Sequence, residues 1–354
     1  MARYALLILP AVNRVYADSS VALTCAELEV FNRTVLGGRI ADLAPTSIGG
    51  VSYVTFTADE ITDRDAALLA NASAVYALFE VREDPAGGAL LRPIHLRPLN
   101  RFDEDLVTIQ KYQGKTNEHF TKLLLNVTLL SSAFAEEMLE RRFRVIDPLC
   151  GRGTTLNQAL RYGFDAAGVD LDAKHFEAYA AFIQTYLKRK RIKHRAESGP
   201  VRRERRVVAR RLQITLGASK ESYLAGDTIS LDVVNTDTTR SLEFFRPATF
   251  DLLVADSPYG VQHGSRTQAK GLARSPLDLL AAAAPVWARL LRPGGALGLA
   301  WNTYVARRED AAAILSAAGL SVLDFGPYQG FKHRVDQAIT RDILVARKPP
   351  GPTI

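Results

Sequence analysis

Two short segments combine carboxylates, glycines and a proline in the order of a ligand site followed by a catalytic site. The first is residues 147–154, DPLCGRGT, and the second, farther along the chain, is residues 256–260, DSPYG. In the first segment an apolar run ends at Asp147, and Gly151 and Gly153 have no Cβ atom to collide with a ligand. This pattern predicts a strand that enters a glycine turn, followed by a helix whose free N–H groups face the same space.

The carboxylate that opens the first segment favours one kind of ligand. Dinucleotide sites use the run GxGxxG to hold a pyrophosphate, whereas the run here is DPLCGRG and begins with an acid that would repel an anion. A cationic sulfonium ligand is attracted by Asp147. We therefore expect S-adenosylmethionine as the cofactor. The alternative is that Asp147 only caps the following helix.

Acidic residues after the next two predicted strands are candidates for binding the rest of the cofactor. Asp170 ends the second strand, where a carboxylate can bind both ribose hydroxyls, and Asp172 is the alternative for that role. Asp237 follows the third strand, where adenine recognition is expected, and Asn235 could serve instead. The other interpretation of this stretch is a polar turn without ligand contact.

The second segment has the groups needed to methylate an exocyclic amine of a nucleobase. Such an amine is a poor nucleophile because its lone pair is delocalised into the ring, and acceptors for its N–H bonds restore the lone pair. Asp256 can be the first acceptor, and the carbonyl of Ser257 or Pro258 the second. Tyr259 can stack on the base, which a duplex substrate would have to flip out. The alternative is a plain turn, and His263 is expected to be a solvated loop residue.

Composition excludes several classes of protein. Hydrophobic residues make up 47% of the 354 residues, which is enough to bury a core. Cys25 and Cys150 are too few for a disulfide framework, and neither metal-ligand spacing nor a Ser/His/Asp arrangement is present. There is no apolar run of the roughly 20 residues that a membrane span requires, and no signal-peptide cleavage site follows the apolar N-terminus. We therefore expect a cytoplasmic protein without a metal site, monomeric by default.

Hydrophobic periodicity divides the chain into three parts. Residues 1–95 alternate short strand-like runs with helical segments at 22–35 and 63–74, which predicts a small α+β domain with helices on one face. Residues 96–117 form a linker that approaches the cofactor, and residues 118–348 alternate strands with helices, which predicts an α/β, doubly wound, Rossmann-like sheet. Its predicted strands are residues 144–146, 167–169, 230–234, 252–255, 296–301, 320–324 and 342–346, and its predicted helices are residues 118–134, 135–142, 155–162, 174–191, 277–292 and 310–318.

The positive charge of the chain is concentrated in one inserted segment. The net charge is +7, and residues 188–211 hold 12 lysines and arginines against Glu197 and Glu204, so the remainder is slightly acidic. We interpret the segment as an arm, mobile without its partner, that contacts RNA phosphates with an affinity that falls as salt rises. The alternative is a solvated extension of the preceding helix. The candidate contacts are Lys188, Arg189, Arg191, Arg202, Arg203, Arg205 and Arg206.

Both motifs resemble those of the class I amino-methyltransferases of RNA, and most closely those of the THUMP-associated tRNA guanosine N2-methyltransferases. That family has a DP-hydrophobic-x-G-[ST]-G-T cofactor motif and a DPPYG catalytic motif, to which residues 147–154 and 256–260 are similar. Residues 112–118, YQGKTNE, are similar to the segment that approaches the methionine end of the cofactor. The resemblance covers residues 105–348 and implies S-adenosylmethionine as cofactor, tRNA as partner and guanine N2 as target. The cofactor-binding residues thus expected are Thr116, Asp147, Cys150, Gly151, Gly153, Thr154, Asp170 and Asp237, and the catalytic residues are Asp256, Ser257, Pro258 and Tyr259.

The chain departs from this family pattern at three places. Arg152 replaces the Ser/Thr of the cofactor motif, and residues 1–95 resemble the ferredoxin-like domain that precedes a THUMP module but are too short to hold both. Ser257 replaces a proline. The form DPPY is associated with adenine N6 and guanine N2, and SPPY with cytosine N4. Asp256 favours a purine amine, while Ser257 leaves a DNA or rRNA amino-methyltransferase as the alternative. A non-catalytic RNA-binding protein is the alternative of another class, and an accessory subunit is a possible further partner.

Overall fold

The computed structural model contains two β-sheets, of which one is antiparallel and the other has parallel strands at its centre. It describes residues 1–9, 14–85, 87–257 and 276–351. Among the helices of these residues, none is long and apolar enough to cross a membrane. The strands of the first sheet lie between Ala2 and Ile94, and those of the second between Arg144 and Arg347.

The first sheet forms an N-terminal α+β domain. Its elements are β1 (Ala2–Ile8), α1 (Arg14–Thr34), β2 (Ala41–Ile48), β3 (Val51–Ala58), α2 (Asp63–Leu69), β4 (Val75–Glu83) and β5 (Ala89–Ile94). The strands lie in the order β2-β3-β1-β4-β5, and all neighbouring pairs are antiparallel. The chain order βαββαβ with this strand order is the ferredoxin-like arrangement, which confirms the predicted N-terminal fold.

The side chains of β1 point alternately to the two faces of this sheet, and one face is buried against α1. Tyr4 and Leu6 are buried, and the ring of Tyr4 stacks on that of Phe56 in β3 with 5.5 Å between centroids. Leu28 and Phe31 of α1 are fully buried in the same core. The period-2 pattern of the strands and the helical pattern of α1 therefore meet in one apolar layer.

A buried polar cluster joins this domain to α4 (Glu118–Leu130) of the second domain. The carboxylate of Glu27 accepts the N–H of Ser73 at 2.9 Å and the Nδ2–H of Asn126 at 2.7 Å. Asn126 Oδ1 accepts the hydroxyl of Tyr162 at 2.9 Å. Helix α2, predicted to reach residue 74, ends at Leu69 because the chain then turns to place Ser73 on Glu27. Burial raises the pKa of Glu27, which these hydrogen bonds oppose.

The second sheet has five parallel central strands. The elements that build this domain are α3 (Asp105–Thr108), α4, β6 (Arg144–Asp147), α5 (Thr154–Arg161), β7 (Asp165–Asp170), α6 (Ala173–Arg189), β8 (His194–Arg203), β9 (Arg206–Leu216), α7 (Lys220–Leu224), β10 (Ile229–Asn235), β11 (Phe250–Asp256), α8 (Pro276–Leu290), β12 (Leu291–Asn302), α9 (Arg308–Ala317), β13 (Ser321–Leu323), β14 (His333–Arg334) and β15 (Thr340–Arg347). The strand order is β13-β15-β12-β11-β6-β7-β10-β9-β8, with β14 paired to β15. Strands β12, β11, β6, β7 and β10 are mutually parallel, and both flanks of this central set are antiparallel. The predicted doubly wound fold is confirmed.

The strand order reverses between β6 and β11. From β6 the chain continues outward through β7 and β10, and it then returns to β11 on the other side of β6. In doubly wound sheets, ligands bind outside the carboxyl ends of the strands at such a reversal. Asp147 and Asp256 are the last residues of β6 and β11, so both lie at this crevice.

The predicted helix at residues 135–142 is wrong. Only Ala135–Glu137 forms a 3-10 turn, and α4 ends at Leu130 instead of residue 134. The hydroxyls of Ser131 and Ser132 donate to the carbonyls of Val127 and Leu129 at 2.6 and 2.7 Å, and such side-chain bonds compete with helix propagation.

The basic segment is neither a mobile arm nor a helix extension, so both sequence interpretations of its structure are wrong. It forms the antiparallel hairpin β8–β9, which adds two strands to the sheet beside β10. Leu212, Ile214 and Leu216 alternate along β9 and are buried, which anchors the hairpin in the main core. A period-2 apolar pattern directly after the charged residues thus holds the hairpin in the sheet.

Candidate cofactor and catalytic site

Four sequence-predicted acids lie at the carboxyl edge of the parallel strands. Asp147, Asp170 and Asp256 end β6, β7 and β11, and Asp237 follows the end of β10. Burial, and then the charges of Asp256 and Asp170, raise the pKa of Asp147, so the three carboxyl groups lie near one another. The tertiary structure therefore brings the predicted cofactor and catalytic acids together.

Asp147 is a buried carboxyl group. Its side chain accepts the N–H of Leu149 at 3.0 Å within the turn. Burial, followed in effect by the neighbouring carboxylates, raises its pKa to about 7. The N-cap position of α5 is occupied by Gly153, and Asp147 also hydrogen-bonds the side chain of Thr155 in the first turn of this helix, so the capping role and the ligand role of Asp147 both stay predictions. A buried acid of this kind attracts a cation.

Gly153 and Gly151 are needed for different reasons. Gly153 has φ +79°, and a Cβ atom there would lie 2.2 Å from the ring of the buried Tyr179. The reason for this glycine is therefore internal to the protein. Gly151 has φ +50° and no atom within 4 Å of the Cβ position, so the space beside it is open to a ligand.

Cys150 and Thr154 have side-chain partners within the protein. A Cβ on Gly168 of β7 would lie 2.8 Å from Cys150 Sγ, so the buried thiol packs on the sheet under the glycine turn, and burial raises its pKa. The hydroxyls of Thr154 and Tyr112 lie 3.0 Å apart, and the Arg152 guanidinium stands 4.8 Å from the Tyr112 ring centroid. Arg152, the departure from the family motif, therefore contacts the segment that was expected to approach the cofactor.

The carboxylate of Asp170 is held in place by the backbone. Oδ2 accepts the N–H of Gly151 and Oδ1 the N–H of Asp172, each at 2.8 Å. Asp172, the alternative ribose-binding acid, caps α6 by accepting the N–H of Lys174 at 2.7 Å. His175 Nδ1 lies 3.4 Å from Asp170 Oδ1, and this contact raises the pKa of His175. His175 was missed in the sequence, where its position in the first turn of α6 was the available signal.

The polar residues after β10 have local roles. Asp237 Oδ1 caps the 3-10 turn Thr238–Glu243 by accepting the N–H of Thr239 at 2.9 Å. Asn235, the alternative for adenine recognition, donates its amide to the carbonyls of Asp170 and Leu171 at 2.9 and 3.0 Å. Asn235 therefore ties β10 to the end of β7, and adenine binding by Asp237 stays a prediction.

Asp256 is surrounded by groups from distant parts of the chain. Thr116 donates its hydroxyl to Asp256 Oδ2 at 2.5 Å, so this residue, expected at the cofactor, contacts the expected catalytic acid. Arg341 of β15 places a guanidinium nitrogen 3.8 Å from the same oxygen. The guanidinium stands 4.3 Å from the ring centroid of Phe120, which in turn packs on the ring of His333 at 5.2 Å. Arg341, Phe120 and His333 were missed because no local motif marks them.

The other catalytic residues predicted from DSPYG are described only in part. Ser257 donates its N–H to the carbonyl of Ala300 at 2.8 Å, which holds the end of β11 against β12. Pro258, Tyr259 and His263 lie outside the described residues. Within the residues that are described, no group of three His, Cys, Asp or Glu side chains could hold a metal ion.

The fold and the acids at its strand reversal define a doubly wound α/β protein with an acidic crevice at the carboxyl edge of its parallel strands. No protein-family model matches the chain, and no curated protein matches it significantly. The family resemblance seen in the motifs therefore stays a prediction.

Solved structures resemble the chain distantly. A TehB-like SAM-dependent methyltransferase from Corynebacterium glutamicum has 16% sequence identity and a TM-score of 0.34 over 61% of this chain and 85% of that chain. TrmN from Thermus thermophilus has 14% identity and a TM-score of 0.43 over 98% of this chain and 100% of that chain. The 1,6-didemethyltoxoflavin-N1-methyltransferase of Burkholderia thailandensis, with S-adenosylhomocysteine bound, has 17% identity and a TM-score of 0.34 over 62% and 76%. Sequence identities and TM-scores as low as these do not identify an activity for this chain.

Proposed function

We propose that this protein is an S-adenosylmethionine-dependent methyltransferase that acts on an exocyclic amine of a nucleobase, most specifically guanine N2 in tRNA. The observation that carries the proposal is the placement of Asp147 and Asp256 at the ends of β6 and β11, on the two sides of the strand reversal. One acid can attract a cationic methyl donor, and the other can hold the amine that receives the methyl group.

The residues at the crevice fit this cofactor. Asp147 is a buried acid that a positive charge would stabilise in its ionised form. The space beside Gly151 is open, and the first turn of α5 directs unpaired N–H groups toward it. Asp170 is fixed by two backbone N–H groups and retains lone pairs for ribose hydroxyls. When bound, the cofactor supplies a methyl group on a positively charged sulfur.

The proposed chemistry is carried by Asp256. Its carboxylate accepts an N–H of the exocyclic amine, which restores lone-pair character to the nitrogen as the N–C bond forms and the S–C bond breaks. The nitrogen then passes one proton through Asp256 to solvent, which leaves the neutral product. Thr116 and Arg341 both contact Oδ2 of this carboxylate. Both partners orient the acid, and neither takes part in the bond changes.

The choice of a purine amine in RNA rests on sequence features. DSPY keeps the carboxylate of DPPY, and the ferredoxin-like domain precedes the second domain as in the family that the motifs resemble. Ser257 favours a second candidate, an amino-methyltransferase of DNA or rRNA. A cytoplasmic, monomeric enzyme and tRNA as the partner belong to the same proposal.

Transfer of labelled methyl from S-adenosylmethionine to tRNA, rRNA and DNA tests the proposal, with nucleoside analysis of the product. We expect N2-methylguanosine from tRNA, and label in N6-methyladenine or N4-methylcytosine would support the second candidate. Asp256→Asn should abolish transfer while RNA binding persists, and Asp310→Asn, at an exposed ion pair with Arg307, is the matched control. Unchanged transfer by Asp256→Asn would reject the assignment. Binding of RNA without transfer to any acceptor would favour a non-catalytic RNA-binding protein.

A further inference from the structure

The hairpin β8–β9 extends past the edge of the sheet where the site lies. Strand β9 pairs with β10 from Leu216 opposite Ile229 to Arg210 opposite Asn235, the last residue of β10. The hairpin then continues for four more residues to Arg206, a distance of about 13 Å at ~3.3 Å per residue. Because β10 runs parallel to β6, β7 and β11, this projection is at their carboxyl edge. The tip therefore rises beside the cofactor and catalytic crevice.

Three arginines at this tip have no partner within the described part of the chain. The side chains of Arg202, Arg205 and Arg206 are exposed, and none of them forms an ion pair or a hydrogen bond with another described residue. Arg203 differs, because its Nη1 donates to Glu243 Oε2 at 3.0 Å and its guanidinium lies 5.4 Å from the Phe244 ring centroid. Arg203 thus anchors the tip, while the other three arginines face solvent.

The tip closes through a tight turn made of charged residues. Glu204 and Arg205 join the paired residues Arg203 and Arg206, and their φ angles are +47° and +65°. Two-residue hairpin turns with positive φ at both positions are ordinarily Asn-Gly or Asp-Gly. Two long charged side chains therefore occupy positions that disfavour them, and the short turn limits how far the tip arginines can move.

The remaining predicted RNA contacts lie at the other end of the hairpin. Helix α6 ends at Arg189, and β8 begins at His194, whose partner Leu216 stands opposite Ile229, the first residue of β10. Lys188, Arg189 and Arg191 therefore lie at the amino edge of the parallel strands, about 30 Å from the tip along the ten residues of β8. The single basic segment of the sequence is two separate cationic sets in the structure.

We infer that the hairpin tip, through Arg202, Arg205 and Arg206, docks backbone phosphates of the RNA whose base enters the crevice, and that the amino-edge set takes no part. This inference rests on the proposed function. Four strand spacings separate β9 from β11, or about 19 Å at ~4.8 Å each. A folded RNA spans this distance, whereas a nucleoside in the crevice does not reach the tip. The tip thus contributes to recognition of large substrates only.

The test compares two triple variants of equal charge change. Arg202→Gln/Arg205→Gln/Arg206→Gln removes the tip cations, and Lys188→Gln/Arg189→Gln/Arg191→Gln removes the amino-edge cations. For the tip variant we expect tRNA affinity to fall at least about tenfold and the slope of log affinity against log salt to flatten by about 2 to 3. We expect the amino-edge variant to bind tRNA like the wild type, and both variants to bind S-adenosylmethionine normally.

Substrate size and charge give a second measurement that does not depend on overall stability. The tip variant should lose kcat/KM for tRNA but retain the wild-type rate with guanosine at high concentration. The charge-preserving variant Arg202→Lys/Arg205→Lys/Arg206→Lys should keep the salt slope. An equal loss of tRNA affinity in the two Gln variants would overturn the inference. An unchanged slope of log affinity against log salt in the tip variant would overturn it as well. So would tighter tip-dependent binding of duplex DNA than of tRNA.

The two proposals fail in different ways. If the wild type methylates tRNA and the tip variant does so equally well, the docking site is wrong and the proposed function stands. If RNA binding depends on the tip but no nucleic acid or nucleoside accepts a methyl group, docking stands and the proposed function is wrong.

Discussion

The hydroxyl of Thr116 lies 2.5 Å from Oδ2 of Asp256, although 140 residues separate the two in the chain. Thr116 is in the segment that leads into α4, and Asp256 ends β11. This contact places the linker at the crevice where the strand order reverses. It also holds one carboxylate oxygen of Asp256 in place.

Replacing Thr116 by Val should lower kcat without a comparable change in the KM for S-adenosylmethionine. A hydrogen bond to a charged group contributes about 1.5–3 kcal/mol, which corresponds to a rate loss of about tenfold or more. Thr116→Ser keeps the hydroxyl and should restore most of the rate. Steady-state kinetics of the two variants test this prediction. A change in the KM for S-adenosylmethionine with unchanged kcat would instead place Thr116 at the cofactor.

Removing the Arg341 guanidinium should also disorder Asp256. The guanidinium is buried, 3.8 Å from the carboxylate and stacked over Phe120. We expect Arg341→Met to lower kcat while cofactor affinity measured by titration stays near that of the wild type. Arg341→Lys, which keeps the charge but not the planar stack, should recover part of the rate. Loss of cofactor binding together with the rate would indicate a general folding defect.

The two glycines of the turn should respond differently to alanine. Gly153→Ala combines positive φ with a Cβ atom 2.2 Å from the Tyr179 ring, so we expect a loss of about 2–5 kcal/mol in the free energy of unfolding. Gly151→Ala has open space and should cost about 1–2 kcal/mol, from φ alone. Gly151→Ala should nevertheless weaken cofactor binding. Urea unfolding and cofactor titration separate the two effects, and equal destabilisation would contradict this account.

Cofactor affinity should rise with pH up to about 7 because of Asp147. Burial and the adjacent carboxylates raise its pKa to about 7, and a bound cation favours the ionised form. Binding below that pH must therefore release a proton, which calorimetry in buffers of different ionisation enthalpy detects. Asp147→Asn should bind more weakly, with no such pH dependence. A variant that retains the wild-type pH profile would assign the effect to another group.

The raised pKa of Asp147 also makes the free energy of unfolding depend on pH in the absence of cofactor. Its stabilising contribution is fully present below the ordinary value of 3.8 and is lost as pH rises through about 7. We expect the difference in unfolding free energy between the wild type and Asp147→Asn to change between these limits in favour of the variant. Urea unfolding of both proteins across this range measures it, and a constant difference would mean that the carboxyl titrates normally.

The buried cluster around Glu27 should hold the two domains together. Asn126→Ala removes one hydrogen-bond partner from Glu27 and one from Tyr162 inside the core, so we expect the free energy of unfolding to fall by about 2–5 kcal/mol. Gln184→Ala is the control, because its amide donates only to the carbonyl of Ala180 in its own helix. A loss below about 0.5 kcal/mol, the range of ordinary surface substitutions, would show that the cluster contributes little.

Local patterns were sufficient to predict most elements of the second domain. Strands β6, β7, β10 and β11 lie where short apolar runs end at a polar residue, and this signal depends only on neighbours in the chain. The helix expected at residues 135–142 failed because the hydroxyls of Ser131 and Ser132 end α4 and the chain then turns. The basic segment was misjudged because the alternation of Leu212, Ile214 and Leu216, which anchors the hairpin, begins only after its last residue, Arg211.

The sequence by itself determined that Asp147 and Asp256 end strands and that glycines follow the first of them, since apolar runs and turn residues act over a few positions. Only the tertiary structure decided that Thr116 and Arg341 both reach Asp256. It also decided that one run of basic residues becomes two sets at opposite edges of the sheet. Strand order and register bring distant residues together or keep near ones apart, and both arise from packing of the whole core, which no local pattern encodes.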